Sequence, residues 1–549
     1  MSTTLSRRDI PVMATAARHV SRWTVRGRWL SVYAVTLVTL GGLALRLPPV
    51  WAHRFHQDEA LYASWALLIS THRDVMLRTV PVDKPPLFLY VLAHFFTWFG
   101  SSEAVARIPG LIAGTVSIPI VFWLGRRLYG MRIGLIGALL FAASPMAILM
   151  SPTAFTDPLM LLFGLLGCVA ATYGAWGLAG LGVGLAAITK QQGVFFLPLT
   201  VALGLAMAPR LERKSLPAHP LLRWGRLVAF PCQGKRSDQI GLFALGLAYP
   251  IYKAIQWDSW RFLPPDRPGF LAQSAISYGG LGLVSPSLWL ERTGEWAYWL
   301  QFLVGSPWLS LLWLLALFHL LIRPHVPGLD DVRRFDLVLV GYGLAYLGVH
   351  VVVSFQIWDR YLLPLAPVGA LLAARAAIHL FAELDRTLNA LSRAAPVKPW
   401  LTAALIATIV VVTGQSAVKA ADSGFPVGSD HGAYDGIDKV ATFLKSELPP
   451  GAVLYHRWLG WHWRYYLYDA PFHFLYYDST EALVDDADGP AHIVRYIVFP
   501  GWREAERQDA IRALNERGLI ASLRFVARRA DGSVSFTVYR IERQPHDHP

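Results

Sequence analysis

The chain has 549 residues, of which 54% are apolar and 16% charged, with a net charge of +13. Globular chains usually carry about 25% charged residues, so this composition excludes a disordered chain, a fibrous repeat and a typical cytosolic enzyme. It points instead to many membrane spans. The 21 Trp and 21 Tyr suit a chain with many membrane–water boundaries. The excess of Lys and Arg suits loops kept on the cytoplasmic side, not a nucleic-acid surface, because no basic soluble domain interleaved with aromatics is present. With only two cysteines, a disulfide framework is ruled out. Cys168 lies in an apolar run and Cys232 in a basic one, so no bridge between them is expected.

Residues 1–28 hold Arg7, Arg8, Arg18, Arg22, Arg26 and Arg28 and read as a basic cytoplasmic N-terminus. The apolar stretch 29–47 has near-spanning length and no small-residue cleavage site, so it reads as an uncleaved first helix. The next long apolar run, 104–125, ends in a basic hairpin, Gly125-Arg126-Arg127-Leu128-Tyr129-Gly130-Met131-Arg132, which belongs inside. Residues 48–103 are therefore a large external loop. Within it, 85–99 is very apolar but reaches only about 22 Å against a core of about 30 Å, so an interfacial or re-entrant helix is expected there. Spans near 131–151, 157–174, 175–189 and 192–209 lead to a basic inside loop, 210–236. A span near 239–256 leads out to a second external segment, 257–297, and spans near 298–322, 336–355, 361–380 and 399–417 follow. The expected total is about eleven, which places the C-terminus outside.

After about residue 420 the pattern changes. Residues 437–447 read as a short amphipathic helix, Ala452–Trp458 and His492–Pro500 as strands, 503–517 as a helix and 522–542 as a hairpin around Asp531-Gly532. The expectation is a polytopic α-helical membrane protein, with a transmembrane domain over 29–417 and a C-terminal α/β extracytoplasmic domain over 418–549.

In so apolar a chain the informative residues are charges placed among spans, where an ionisable group costs about 2.5–3.5 kcal/mol. His56-Gln57-Asp58-Glu59-Ala60-Leu61-Tyr62 sets adjacent carboxylates just after the first span, suited to general-base work or metal binding. Its bland alternative is a helix N-cap made by Asp58, with Glu59 meeting the dipole. Asp83-Lys84-Pro85-Pro86 could hold a phosphate or simply let Lys84 snorkel. Thr156-Asp157-Pro158 and Thr189-Lys190-Gln191 lie in external turns, and Trp358-Asp359-Arg360-Tyr361 offers a guanidinium for a bidentate clamp. Glu103 and Arg107 have the i,i+4 spacing of a helical pair, and His350 reads as a satisfied packing residue. The motifs converge on one side of the membrane. In the external domain, Tyr455-His456-Arg457-Trp458 and Trp461-His462-Trp463-Arg464 form an aromatic and basic run that suits sugars as well as it suits a core strand.

Asp58-Glu59, Lys84-Pro85-Pro86, Glu103 with Arg107-Ile108-Pro109, the hairpin 125–130, Asp157-Pro158, Thr189-Lys190 and Arg360-Tyr361 with Pro364 occur in the order that marks one superfamily. Over about residues 29–380 the chain resembles the GT-C glycosyltransferases, in the branch of protein O-mannosyltransferases and lipid A aminoarabinose transferases. The resemblance implies a GT-C helical bundle with juxtamembrane helices, an external active site and inverting transfer of a sugar from a polyprenyl-phosphate donor. The acceptor would be a hydroxyl on a protein, lipid or glycan. No feature fixes an amino-sugar pocket, and no external domain is inserted in mid-chain, so neither named substrate carries over. Under this reading Asp58 is the base, Asp157 orients the acceptor or shares that task, and Glu59 positions the acceptor or binds a divalent cation. Lys84, Lys190 and Arg360 meet the phosphate, and Tyr62, Tyr361, His456 and His462 complete the substrate-binding candidates. The competing reading is a transporter or flippase of lipid-linked sugars, which predicts charges at mid-membrane and two related halves.

Overall fold

The computed structural model describes residues 29–212, 236–264, 266–278, 282–322, 330–391, 397–490 and 492–544. The basic N-terminus 1–28, most of the basic loop 210–236 and Cys232 lie outside the described residues.

The chain is mainly helical. Among the described residues four helices are long and apolar enough to cross a membrane on their own, fewer than the eleven spans expected: α1 (Trp29–Ala52), α4 (Glu103–Tyr129), the run Gln191–Arg210 and the run Val332–Val352. The expected span 298–322 is a bent pair, Pro286–Leu303 and Pro307–Phe318, crossing at 97°. Pro307 explains the break, because it opens the second helix and cannot donate to the first. The expected span 131–151 is likewise broken, into α5 (Met131–Ala142) and α6 (Pro145–Met150), with Ser144-Pro145 at the joint. Both are corrections to single continuous helices. The other elements of the bundle are α2 (Gln57–Ser70), α3 (Leu87–Phe99), α7 (Asp157–Thr172), α8 (Trp176–Thr189), α9 (Phe196–Glu212) and α10 (Arg236–Trp260). They continue with α11 (Phe270–Tyr278), α12 (Trp289–Leu300), α13 (Pro307–Ile322), α14 (Asp330–Val352), α15 (Leu365–Leu391) and α16 (Val397–Ala421). At 13 residues, α3 reaches only about 20 Å.

Lipid-facing positions stay apolar because there is no water to hide from. Leu37 and Leu40 on α1, and Leu311, Leu314, Leu315 and Phe318 on α13, are exposed. Inside, glycines bring helix backbones together. A Cβ on Gly110 would stand 2.3 Å from the Thr153 carbonyl oxygen, and one on Gly114 would stand 2.0 Å from Ser151 Oγ. This close approach seats the 151–157 turn against α4.

The two ends of the bundle differ in chemistry. At one end Arg127 donates to the Thr172 carbonyl (3.1 Å) and Arg210 to the Leu128 carbonyl (2.9 Å), which joins the ends of α4, α7 and α9. At the other end lie the starts of α2 and α7, Lys84, Lys190 and the turn after α14. The two expected external segments dock on each other there, where buried Arg261 donates to the carbonyls of Met76 (3.1 Å) and Leu77 (2.6 Å).

The C-terminal domain contains α17 (Ile437–Glu447), β1 (Val453–His456), α18 (Gly460–Tyr466), β2 (His473–Tyr476), α19 (Thr480–Ala487), β3 (Arg495–Pro500), α20 (Glu504–Glu516), β4 (Leu519–Arg528) and β5 (Val534–Arg543). The sheet order is β2-β1-β3-β5-β4, with β1 parallel to β2 and β3 and the β3-β5-β4 pairs antiparallel. Period-2 alternation divides the strand side chains between two cores. Leu454, Tyr496, Val498, Phe536 and Val538 pack with α17 and α18, while Tyr455, Ile497, Phe499, Tyr539 and Ile541 pack with α19 and α20. The sheet is thus sandwiched between helices, and β2 and α18 are elements the sequence pattern did not reveal.

Candidate active site

The site begins at the N-terminus of α2. His56, not Asp58, is the cap: its Nδ1 accepts from the Asp58 backbone N–H at 2.9 Å, and Glu59 closes the box by accepting from the His56 N–H at 3.0 Å. The Asp58 side chain is thereby free to point elsewhere. Glu59 is fully committed. Arg107 grips it with Nε and Nη2, each at 3.0 Å, and the Ala154 N–H donates to the same carboxylate at 2.9 Å. This corrects the expected Glu103–Arg107 pair, since Glu103 meets Arg54 at 3.3 Å and the Tyr466 hydroxyl instead. With both oxygens occupied inside protein, Glu59 has no face left for a divalent cation or an acceptor. Among the described residues no group of three or more His, Cys, Asp or Glu side chains could hold a metal ion.

Three carboxylate–cation pairs converge beside it. Arg360 Nη1 meets Asp58 Oδ2 at 2.6 Å, Lys190 Nζ meets Asp157 Oδ1 at 2.6 Å and Lys84 Nζ meets Asp83 Oδ2 at 2.5 Å. All three cations are buried, whereas the Asp58 side chain keeps 24% of its surface exposed. Aromatic faces surround the cations: Lys190 lies over Tyr361 at 4.4 Å, Arg360 over Phe155 at 5.0 Å and Trp358 at 4.9 Å, and Lys84 over Tyr62 at 6.0 Å.

The three pairs form one electrostatic unit. Burial alone would raise the Asp58 carboxyl, but the charges of Arg360, His56 and Lys84 outweigh it and hold it at about 2. Burial lowers Lys190 to about 8, with Asp157 opposing and Arg360 and Lys84 assisting. Burial also lowers Lys84, against the pull of Asp83. For Arg360, burial is overcome by Asp58, Tyr62 and Asp157, and the guanidinium stays firmly charged. Its Nε is buried without a hydrogen-bond partner. A buried donor left unmade costs about 1–3 kcal/mol, so this atom is a natural point of attachment for an anion.

The sequence-derived candidates therefore divide. Asp58, Asp157, Lys84, Lys190, Arg360, Tyr62 and Tyr361 come together. Glu59 braces the cluster from behind. His456 makes no contact with the paired charges; it lines a cavity of about 880 Å³ with Gln57, Arg457, Trp461, Arg464 and Tyr476. His462 is buried under Tyr434 and contacts the Phe55 carbonyl at 3.0 Å. His350 contacts the Tyr346 carbonyl at 2.8 Å and Gln192 at 3.1 Å, a packing role as expected. Sequence reasoning did not single out Asp83, although it stood beside Lys84 in a recognised motif. It also did not single out Arg46, buried in α1, which donates to Ser151 Oγ (3.0 Å) and to the carbonyls of Gly42 (2.8 Å) and Ala142 (2.9 Å). An arginine inside a spanning stretch was the available signal.

A family model of dolichyl-phosphate-mannose-protein mannosyltransferases matches residues 83–232. No curated protein sequence matches the chain. Among solved structures, the crystal structure of ArnT from Cupriavidus metallidurans bound to undecaprenyl phosphate is similar over 95% of this chain and 98% of that one, at 18% identity and a TM-score of 0.55. The Archaeoglobus fulgidus oligosaccharyltransferase in its apo form is similar over 94% of this chain and 75% of that one, at 13% identity and a TM-score of 0.51. The same enzyme tethered to an acceptor peptide containing the NVT sequon is similar over 92% and 74%, at 12% identity and a TM-score of 0.52. The chain thus has the GT-C fold, with a small sheet domain at its C-terminal end.

Proposed function

We propose that this chain is an integral-membrane glycosyltransferase that moves a sugar from a polyprenyl-phosphate donor to an extracytoplasmic hydroxyl. The observation that carries the reading is the Asp58–Arg360 pair: a carboxylate with an open face, held to a buried guanidinium whose Nε is unused, with two lysines alongside. Three cations suit a departing phosphate, which needs charge stabilisation more than a strong acid. The family match over 83–232 and the undecaprenyl phosphate bound to the ArnT structure agree with a lipid-phosphate donor.

The chemistry follows from the charges. With Arg360 at 2.6 Å, Asp58 is a weak base. A donor phosphate that draws the guanidinium to itself removes the largest influence lowering the carboxyl, so Asp58 gains basicity when donor is present. The acceptor oxygen then attacks C1 of the sugar and passes its proton to Asp58. The C1–O bond to phosphate breaks, and the polyprenyl phosphate leaves with the bonding electrons, its charge met by Arg360, Lys190 and Lys84. Asp157 holds Lys190 in place, and Glu59 fixes α2 through Arg107. The charges sit at the helix ends, in turns, which favours this reading over a transporter with charges at mid-membrane.

The test is turnover of a panel of polyprenyl-phosphate sugars by purified protein in lipid, with acceptor-rich envelope extract present and Asp58→Asn alongside. A general base contributes about 10²–10⁴-fold, so the variant loses at least that much while still binding donor. Undiminished turnover by Asp58→Asn removes the base assignment, and no turnover of any donor by folded wild type removes the enzyme reading.

A further inference from the structure

The segment 428–435, between α16 and α17, meets residues next to both partners of the Asp58–Arg360 pair: Asp359 on one side, and His53, Arg54 and His56 on the other. On the Arg360 side, the Gly428 N–H donates to Asp359 Oδ2 at 2.8 Å, while Asp359 Oδ1 accepts from the Arg360 N–H at 2.7 Å. One carboxylate therefore connects the segment to the backbone of the clamp residue. On the Asp58 side, Asp435 receives the Arg54 N–H at 2.9 Å and meets His53 Nδ1 at 3.0 Å. Asp430 Oδ1 faces His56 Nε2 at 3.4 Å. Because His56 Nδ1 accepts from the Asp58 N–H, the proton of the neutral ring sits on Nε2, the atom turned toward Asp430. His462, stacked on Tyr434 at 4.1 Å, meets the Phe55 carbonyl at 3.0 Å. Burial holds His462 near 4, so it stays neutral.

The sheet domain holds this segment by hydrogen bonds. Arg529, at the β4–β5 turn, donates to the carbonyls of Gly432 (3.0 Å) and Ala433 (3.1 Å), and Ser535 donates to the Asp435 carbonyl. The path needs a left-handed backbone at Gly428, His431, Gly432 and Gly436. At Gly432 a Cβ would also stand 2.7 Å from Asp435 Oδ2.

We infer that the 428–435 segment is a clasp by which the C-terminal domain sets the position of Asp58 relative to Arg360, with Asp435 as its main positioning residue. The inference rests on the glycosyltransferase reading for its kinetic consequence but not for its structural one. Asp435 touches neither Asp58 nor Arg360; it acts through His53, Arg54 and the cap at His56. The clasp gives the sheet domain a task that needs no substrate contact.

The experiment uses the full-length chain in lipid nanodiscs, with hydrogen exchange followed over residues 53–62 and 357–363 and donor turnover measured in parallel. Asp435→Ala is expected to raise exchange over 53–62 by about tenfold, the equivalent of losing one helix cap. It should lower kcat by about the same factor while donor KM stays within about twofold, because the three cations remain. Asp435→Asn restores both, since an amide oxygen still accepts from Arg54 and His53 can exchange tautomers. If Asp435→Ala loses protection throughout the sheet domain, Asp430→Ala, which removes the segment's contact to His56 Nε2, takes its place with the same expectations. Wild-type exchange in these variants, or an Asn variant as impaired as the Ala variant, overturns the clasp. If wild type turns over no donor yet exchange responds as stated, the clasp stands and the glycosyltransferase reading falls.

Discussion

Two residues in the charged cluster titrate in ways that can be followed. The Asp58 carboxyl, near 2, stays ionised through the working range, so it sets no acid limb above about pH 3 while Arg360 is its partner. Lys190 is different. Burial brings it to about 8, below the 10.5 of an unfolded lysine. Between these values the unfolded chain keeps a proton that the folded chain has lost, so this group's contribution to stability rises with pH across that window. Its contribution to phosphate binding runs the opposite way, because the cation disappears as pH passes about 8. Donor KM is therefore expected to rise several-fold from about pH 7 to about pH 9. Lys190→Gln should start with a raised KM and show a flatter profile. A KM independent of pH in wild type would exclude Lys190 from donor binding.

At the scale of elements, the Glu59–Arg107 fork joins α2 to α4, and the Ala154 N–H joins α2 to the turn before α7. Glu59→Gln leaves a buried guanidinium without its counter-charge, which costs about 3–5 kcal/mol. It should lower the thermal midpoint of the purified protein markedly. Arg107→Lys should not restore stability, because an ammonium cannot match the two parallel bonds of the fork. Midpoints equal to wild type for both variants would show that the fork does not hold the elements together. Several of these elements were legible in the sequence. The helix over 437–447 and the hairpin around Asp531-Gly532 were marked by amphipathic and alternating periodicity and by a turn dipeptide, all local signals. The breaks at Ser144-Pro145 and before Pro307 were legible only as prolines, and hydrophobicity alone ran the spans together across them. β2 escaped notice because it is short and mostly exposed, so it carries little apolar alternation.

At the scale of the molecule, the basic ends of α4 and α9 lie together and the charged cluster lies at the opposite end. We propose that the basic hairpin 125–132 is inside, which would put the sheet domain and the cluster outside. In a Cys232→Ser background, Asp531→Cys is expected to react with a membrane-impermeant maleimide in intact cells, and Arg132→Cys only after lysis. The reverse pattern would invert the topology.

The sequence by itself determined the helical membrane class, the positions of most apolar helices, the α/β character of the C-terminal domain and the charged turns that build the site. These depend on composition and on periods of two to four residues, which neighbours along the chain encode. Only the tertiary structure decided which charges pair. Glu103 and Arg107 have ideal helical spacing yet point to different partners, because Arg107 finds a carboxylate 48 residues away in a site sealed from water. There an unpaired charge is too costly to leave, and the neighbouring acid Glu103 is already taken by Arg54 and the Tyr466 hydroxyl. The same holds for Asp58 with Arg360 and for the clasp behind them. Their partners are set by packing between distant segments, and no local pattern records that.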